Sequence, residues 1–293
     1  MITPKIAIAS IDVADHYDDL DRWYLELWGE HLHHGLWLAG NESTSEATHN
    51  LVARLAERLG IGTGQRVCDI GCGYGATARV LVQEYGASVT GLTLSESQYI
   101  YTVARRDATD DPQVLRMDFM DNDFSGAAFD AAISVESSEH FVDKPALFNE
   151  MYRIVKPGGR IGVYAWLAAG GATQWQVDHL LEPICREGRL PSIGTEQDYR
   201  GWLDGAAFAD IAYEDYSRNV MRTWPIVVGR MAKRLTWDRE AWAFLFSGAR
   251  NREFGKTVFR IWMAYKMGCM RYGLFTARKP ESPVAPSDAC GVE

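Results

Sequence analysis

Residues 67–75 read Val67-Cys68-Asp69-Ile70-Gly71-Cys72-Gly73-Tyr74-Gly75, an apolar run that ends in an acid and continues with glycines at alternate positions. The segment that follows, residues 76–82, has the composition of a helix. This order predicts the first strand, tight turn and helix start of a nucleotide-type α/β fold. Glycine suits the turn because positive φ costs it little and it has no side chain to keep the backbone from a ligand. Unpaired N–H groups at the helix start then point towards whatever is bound.

Strand and helix patterns alternate on both sides of this turn, which predicts a mainly parallel sheet with helices on both faces. Residues 12–37 and 46–59 have helical patterns before the first strand. Residues 219–266 are rich in aromatic side chains and form a predicted helical insertion between the last two strands. The predicted strands are residues 66–70, 88–92, 113–116, 129–135, 159–166, 211–215 and 269–277.

These patterns predict a single domain over residues 1–280. Its parts are the N-terminal helices 12–60, a core 61–218, the helical cap 219–266 and a last strand within 267–278. The proline-rich segment 280–293 has no periodicity and is predicted to be a disordered tail.

Composition and net charge argue against several classes of function. The chain has 293 residues and a formal net charge of −9, which argues against nucleic acid as a partner. Its beginning lacks a long apolar run, and no apolar stretch is long enough to span a bilayer, so we expect a cytoplasmic protein with no integral membrane segment. The five cysteines are scattered, without the spacing of a disulfide framework or a zinc site, and we expect no metal.

The glycine-rich turn suits two classes of cofactor. A dinucleotide site would accept Gly71, Gly73 and Ala76, but it also needs an acid at the end of the second strand. Residues 89–95 read Val-Thr-Gly-Leu-Thr-Leu-Ser and contain no acid. S-adenosylmethionine (SAM) has no phosphate; it needs a close approach of the backbone and polar groups for its ribose. The sequence therefore favours SAM.

Residues 68–77 and 89–98 together resemble class I SAM-dependent methyltransferases. The Gly-Leu-Thr-Leu-Ser-x-x-Gln form of the second segment is similar to the branch that holds cyclopropane fatty acid synthases and γ-tocopherol methyltransferases. Residues 27–35, 218–225 and 264–275 are similar to segments of the tocopherol enzymes, so the resemblance covers about residues 14–280. It implies a Rossmann-like methyltransferase fold with a seven-stranded sheet, SAM as cofactor and S-adenosylhomocysteine (SAH) as product.

The resemblance also implies which residues contact SAM. Thr93 and Gln98 would take the ribose role that an acid plays in other branches. Asp118 would accept a hydrogen bond from the adenine amino group while Phe119 packs on the ring, although a helix cap is an alternative role for Asp118. Tyr17 would close over the methionine end. The full set of predicted cofactor contacts is Tyr17, Asp69, Gly71, Gly73, Thr93, Leu94, Gln98, Asp118, Phe119 and Glu136.

The segment after the fourth strand supplies the candidate catalytic groups, Glu136, Glu139 and His140. In an open α/β sheet this position lies beside the ligand. Glu139-His140 resembles the Glu-His pair of the cyclopropane synthases, where the carboxylate helps to hold a bicarbonate base. His140 titrates near neutrality and is a second candidate base. The alternatives are that the carboxylates cap the next helix and that His140 packs under the cofactor.

A lipophilic acceptor is expected because the aromatic insertion occupies the place where related enzymes build a substrate lid. Ordinary core packing is the alternative role for these aromatic residues. The histidines at 31, 33 and 34 lack a partner acid or cysteine at ligand spacing, so a pocket role is preferred to a metal site. The predicted substrate-pocket residues are Trp28, His31, His34, Trp166 and Trp224.

The preferred interpretation is methyl transfer to a lipophilic small molecule of secondary metabolism: a prenylated phenol or quinol, an indole-type amine or a terpenoid. Cyclopropane or methylene transfer to a lipid alkene is the alternative within the same branch. C-methylation of a prenyl chain or prenyl diphosphate would need basic groups, for which Arg218, Arg222 and Arg230 are the candidates. A SAM-binding regulator is the non-enzymatic alternative. The sequence leaves the methylated atom and the formation of a homo-oligomer open.

We predict that Gly71→Arg abolishes SAM binding, because it places a bulky cation in the turn that approaches the cofactor. Isothermal titration calorimetry with SAM measures the effect. Unaltered affinity in the variant would move the cofactor site away from this turn.

Overall fold

The computed structural model describes residues 1–106, 112–238 and 254–281. Its seven strands are β1 (Arg66–Ile70), β2 (Ser88–Thr93), β3 (Gln113–Arg116), β4 (Phe129–Val135), β5 (Val155–Ala168), β6 (Ala209–Asp215) and β7 (Met270–Arg278). They form one sheet in the order β3-β2-β1-β4-β5-β7-β6. The pairs from β3 to β5 are parallel, whereas β7 runs antiparallel to both β5 and β6. The predicted strands and the mainly parallel sheet are confirmed; the fifth strand begins earlier than predicted, at Val155.

Helices cover both faces of this sheet. They are α1 (Ser10–Leu27), α2 (Thr44–Leu59), α3 (Ala76–Tyr85), α4 (Glu96–Ala104), α5 (Lys144–Ile154), α6 (Gln174–Gln176), α7 (Glu182–Glu187), α8 (Glu196–Gly205), α9 (Ser217–Val220), α10 (Thr223–Trp237) and α11 (Phe254–Lys266). Adjacent residues of β1 point to opposite faces: Val67 packs in one buried cluster with Leu55 of α2, and Cys68 in another with Phe148 of α5. Two apolar layers therefore enclose the sheet.

The glycine turn after β1 has the conformation that the sequence predicts. Gly71, Gly73 and Gly75 have φ values of +77°, +56° and +71°, in the left-handed region that favours glycine. A Cβ atom at Gly71 would lie 2.4 Å from Cβ of Ser137, in the segment after β4. The turn and that segment can approach each other only because residue 71 has no side chain. Gly201→Arg is a matched control for Gly71→Arg, since no atom lies within 4 Å of a Cβ built there.

The prediction of helix over residues 12–37 is wrong beyond Leu27, where α1 ends. The N–H groups of Trp28 and Gly29 bond to carbonyls of the last turn, and Gly29 leaves the helix at φ +86°. Contacts with distant elements hold the segment 28–37 instead; for example, the Leu36 N–H donates to the Ala47 carbonyl of α2 at 2.7 Å. Tertiary contacts therefore determine the conformation of residues 28–37, although their aromatic residues have helical spacing.

The insertion between β6 and β7 contains α9, α10 and α11. Val227 of α10 and Val258 and Ile261 of α11 belong to the same buried cluster, so these two helices pack together. The predicted helical content is present in the described part, while residues 239–253, with Trp242, Phe244 and Phe246, lie outside it, as do residues 282–293 of the predicted tail. No helix among the described residues is long and apolar enough to cross a bilayer.

Candidate active site

A first cavity opens at the carboxyl ends of β1, β2 and β4, where ligands of open α/β sheets bind. It includes every residue that the sequence predicted to contact the cofactor: Tyr17, Asp69, Gly71, Gly73, Thr93, Leu94, Gln98, Asp118, Phe119 and Glu136. The three strand ends and the glycine turn therefore bring these residues together although they are far apart in the chain.

Asp69 gives this cavity a buried carboxylate that lacks a partner. Within the described chain, its Oδ2 atom has no hydrogen-bond donor although the atom is fully buried. Burial raises the pKa of Asp69 to about 7. Buried hydrogen-bond acceptors in native proteins almost always have a donor. The missing donor for Oδ2 of Asp69 is therefore expected to come from a ligand. The cationic amino group of SAM is such a donor, so the site fits the predicted cofactor.

Thr93 and Gln98 form a buried polar pair on the wall of the first cavity. The Thr93 hydroxyl donates to Oε1 of Gln98 at 2.7 Å, which fixes the orientation of the amide. Ser95 caps α4 by accepting from the Gln98 N–H at 3.1 Å, so the helix start holds the pair in place. The amide nitrogen of Gln98 has no protein acceptor in the described structure and is available to a ligand hydroxyl. This arrangement suits the predicted ribose contact.

Asp118 serves as a cap and also lines the cavity. Its Oδ1 accepts from the Met120 N–H at 2.9 Å and caps the short turn Phe119–Asp121. The cap therefore holds the carboxylate at the cavity wall, so the two roles considered for Asp118 are compatible. Phe119 is buried beside it and meets Phe141 edge to face, with ring centroids 6.3 Å apart.

Helix α1 covers the first cavity and is tied down by acids that the sequence analysis missed. Asp18 accepts from the Ser95 hydroxyl at 2.5 Å and from the Ser97 N–H at 3.1 Å. Asp21 accepts from the Tyr74 hydroxyl at 2.6 Å. The sequence does contain a signal for these contacts, because acidic residues recur at helical spacing along α1. A row of acidic residues on a helix, however, usually indicates a face exposed to solvent.

A second cavity adjoins the first and is lined mainly by aromatic and aliphatic side chains. It includes Trp28, His34, Trp166 and Trp224 from the predicted substrate pocket, and both Glu136 and Glu139. His31 lines the first cavity instead, since residues 28–37 do not continue the helix. The residues common to both cavities are Tyr17, Leu32, Glu136 and His140.

Glu136 lies at this junction and accepts four hydrogen bonds. Its Oε1 accepts from the backbone N–H and Nδ1 of His34 at 2.7 and 2.9 Å and from the Tyr272 hydroxyl at 2.7 Å, and its Oε2 accepts from Nε1 of Trp166 at 2.8 Å. Hydrogen bonds donated to both carboxylate oxygens favour the ionised form of Glu136 over the protonated form. The carboxylate is therefore ionised at neutral pH. Its backbone has φ +54°, a strained value for a residue other than glycine.

The tautomer of His34 follows from its two neighbours. Nε1–H of Trp224 donates to Nε2 of His34 at 2.8 Å. An indole nitrogen can only donate, so Nε2 of His34 has no proton and the ring proton is on Nδ1, facing Glu136. In this arrangement the imidazole is neutral.

Glu139 has the opposite electrostatic character. It is buried on the wall of the second cavity, and burial raises its pKa to about 7 against the opposing hydrogen bond from the Trp166 N–H. Lys144 lies behind it, with Nζ 3.3 Å from the Glu139 carbonyl and 2.6 Å from the Ser192 hydroxyl. A carboxylate with a pKa near neutrality in a substrate cavity is suited to accept a proton.

His140 and Tyr17 form part of the wall between the cavities. The Tyr17 hydroxyl lies 2.9 Å from Nε2 of His140, and the Arg189 carbonyl lies 3.2 Å from Nδ1. Because the carbonyl must accept, Nδ1 carries the proton and Nε2 accepts from Tyr17. Burial lowers the pKa of His140 to about 4, so it is neutral at pH 7. The ring therefore positions Tyr17, and Glu139 is the better candidate base.

The other histidines of the loop form a hydrogen-bonded chain. Nδ1 of His31 and Nε2 of His33 are 2.9 Å apart, and Nδ1 of His33 is 2.8 Å from the His34 carbonyl. Burial lowers the pKa of His31 to about 3 and also lowers that of His33. Over the described ranges, no group of three or more His, Cys, Asp or Glu residues is placed to hold a metal ion.

Comparisons with known proteins identify the family and the fold. The family described as mycolic acid cyclopropane synthetase matches residues 5–216. The chloroplastic tocopherol O-methyltransferase of Arabidopsis thaliana is 30% identical over 288 residues, covering 92% of this chain and 82% of that protein. The glycine/sarcosine/dimethylglycine N-methyltransferase of Actinopolyspora halophila is 30% identical over 271 residues, covering 90% of this chain and 46% of that protein. The crystal structure of mycolic acid cyclopropane synthase CmaA1 complexed with SAH and CTAB has the same fold, with a TM-score of 0.82 at 18% identity over 94% of this chain and all of that chain (100%).

The fold and these relatives together define a class I SAM-dependent methyltransferase. The chain belongs to the mycolic acid cyclopropane synthetase family. The branch that the sequence motifs predicted, the enzymatic activity and SAM as cofactor are thereby confirmed. The cytoplasmic location stays a prediction.

We expect Gln98→Met to weaken SAM binding by roughly threefold to tenfold, because it removes one hydrogen-bonding group of about 0.5–1.5 kcal/mol while keeping the side-chain volume. Gln113→Met, at an exposed position on β3, is the matched control and should leave the affinity unchanged. Calorimetric titration with SAM compares them. Equal affinity for the two variants would remove Gln98 from the cofactor site.

We expect Glu139→Gln to slow turnover by about a hundredfold, in the lower range of general-base contributions, while SAM affinity is unchanged. Gln can still accept the hydrogen bond from the Trp166 N–H. Since the raised pKa delays ionisation, the wild-type kcat should rise with pH through about 7, and this rise should vanish in the variant. Steady-state rates across pH test both points; full activity with an unchanged pH profile would mean that Glu139 is not the base.

Proposed function

We propose that the enzyme transfers the SAM methyl group to a lipophilic small molecule that lies in the second cavity, such as a prenylated phenol or quinol, an indole-type amine or a terpenoid. The observation that carries this proposal is the contact between the two cavities at Tyr17, Leu32, Glu136 and His140. The first cavity fits SAM, and the second is lined mainly by apolar and aromatic groups. A methyl group at the junction faces the acceptor space.

The protein's own contribution is placement and protection. When bound, SAM supplies a methyl group activated on a sulfonium. Helix α1, held by Asp18 and Asp21, lies over the first cavity, and residues of α10 and α11 line the second, which supports a role for these helices in shielding the acceptor. Alignment of this kind supplies a large share of the acceleration of a bimolecular transfer. Glu139 accepts a proton where the acceptor must lose one.

A prenyl diphosphate fits the second cavity poorly. Of the three arginines considered for that role, Arg230 donates to the Leu27 carbonyl at 2.6 Å and Arg222 to the Gly40 carbonyl. None of the described residues that line the second cavity is Lys or Arg, and two are glutamates. A diphosphate there would meet negative charge without a counter-charge. The favoured acceptor is neutral or cationic near the reacting atom.

Methylene transfer to an alkene is the second candidate. It is favoured by Glu139, since ring closure requires a base near the methyl group and this carboxylate has a pKa of about 7 in the acceptor cavity. The names of the relatives do not decide between the candidates, because they include O- and N-methyltransferases as well as a cyclopropane synthase.

The test is a mass-spectrometric screen with SAM that carries a fully deuterated methyl group. The acceptor panel holds prenyl phenols, indole amines, terpenoids, prenyl diphosphates, unsaturated lipids and, as a polar control, glycine and sarcosine. We expect a lipophilic product that keeps the whole deuterated methyl group. Loss of one deuteron would establish methylene transfer, and turnover of the polar amines alone would contradict a lipophilic acceptor.

A further inference from the structure

The carboxylate of Glu136 is an anion that its protein partners do not neutralise. Its four donors are the His34 N–H, the neutral His34 ring, the Tyr272 hydroxyl and the Trp166 indole, and none of them carries a charge. They stabilise the ionised form and leave its full negative charge in place. A buried carboxylate is costly unless a cation compensates it.

No lysine or arginine of the described chain is placed to supply that cation at either cavity. Neither lining contains Lys or Arg, and the histidines around Glu136 are neutral: His140 and His33 because burial lowers their pKa values, and His34 because of its tautomer. Lys144 is a buried amine, but it points to the Glu139 and Phe141 carbonyls and lines neither cavity. The missing positive charge is therefore expected from a ligand.

One wall of the second cavity consists of aromatic rings. This wall includes Trp166, a hydrogen-bond partner of Glu136. Trp166 and Trp224 meet edge to face with centroids 5.7 Å apart, and Trp28 lies 6.2 Å from Trp224. Tyr24 extends this wall, with its ring 5.7 Å from Trp28. Aromatic walls attract cations through the negative faces of the rings, and a nearby carboxylate adds to that attraction. An anion beside aromatic walls is the chemistry that recognises an alkylated ammonium.

We propose that the acceptor is a lipophilic amine, that its nitrogen lies in the second cavity between Glu136 and the wall of Trp28, Trp166 and Trp224, and that the enzyme is an N-methyltransferase. This inference rests on the proposed function and narrows its substrate class. The amine lone pair forms the C–N bond as the C–S bond breaks, the electron pair of the broken bond stays on sulfur, and the positive charge moves from sulfur to nitrogen. A tertiary amine yields a quaternary ammonium without proton loss; a secondary amine, or an amine that arrives protonated, gives one proton to Glu139.

The position of the carboxylate favours the amine over the sulfonium of SAM as its partner. His34 and Trp166, which supply three of its four hydrogen bonds, line the second cavity and not the first. Because charge migrates from sulfur to nitrogen during transfer, an anion closer to nitrogen stabilises the transition state more than the bound substrates.

The experiment compares two ligands of equal shape, N,N,N-trimethyltryptammonium and its neutral isostere with carbon in place of the quaternary nitrogen. Calorimetry with the enzyme saturated with SAH measures binding of each, so that no sulfonium is present. We expect the cation to bind at least about tenfold more tightly than the isostere. Equal affinity in the wild-type enzyme would overturn the proposal without reference to any variant.

The variant Glu136→Gln tests whether the carboxylate of Glu136 causes the preference for the cation. We expect it to abolish the preference for the cation, whereas Glu84→Gln, which removes the same charge from an exposed position, should keep it. Because the new amide would face the Trp166 N–H, the double variant E136Q/W166F is tested beside it, and SAH binding reports whether each variant is folded. A preference for the cation that survives in both variants would contradict the assignment.

Three further results distinguish a failure of this inference from a failure of the proposed function. If Glu136→Gln loses affinity for SAM but not for SAH, the partner of Glu136 is the sulfonium and the amine assignment fails. If the deuterium screen gives methyl transfer to phenols and none to N,N-dimethyltryptamine, the amine class is wrong while the proposed function stands. If neither ligand binds the SAH complex, the second cavity does not take an indole-type amine, and the amine assignment fails while the proposed function is decided by the deuterium screen.

Discussion

The carboxylate of Glu136 is the point on which the site depends. Its hydrogen bonds join the loop of His34, strand β5 at Trp166 and strand β7 at Tyr272, and through His34 they reach Trp224 at the start of α10. Elements from the N-terminal, central and C-terminal parts of the chain are thus held by one side chain with a strained backbone. Such strain is typical of functional positions, where surrounding contacts compensate for it.

This arrangement divides the binding space by charge as well as by shape. The first cavity has polar groups for a cofactor and the second has aromatic walls, and the ionised Glu136 belongs to both. Glu139 lies in the second cavity with a pKa raised to about 7, whereas the four hydrogen bonds donated to Glu136 favour its ionised form. Two neighbouring carboxylates are thereby separated into one that stays ionised and one that can exchange a proton near neutrality.

Much of the fold and of the cofactor site was predictable from local sequence. The strand pattern and the glycine turn place Asp69, Thr93, Gln98 and Asp118 at the same sheet edge, because parallel strands end together there. His34, Trp166 and Trp224 were predicted as pocket residues from resemblance and position. The hydrogen bonds that converge on Glu136 were not predictable. Glu136 and its partner Tyr272, for example, are 136 residues apart, and local periodicity contains no information on such pairs. The end of α1 at Leu27 was missed because contacts of the following loop override helical spacing.

The most direct test of the account is the charge state of the His34 ring, because Glu136 remains an unneutralised anion only if that ring is neutral. Nitrogen-15 NMR of histidine-labelled enzyme at neutral pH, with His34 assigned by loss of its signals in His34→Gln, distinguishes the states. The account predicts one protonated nitrogen, Nδ1, and one unprotonated nitrogen, Nε2. Protonation of both nitrogens would make His34 the counter-ion of Glu136 and would contradict the account.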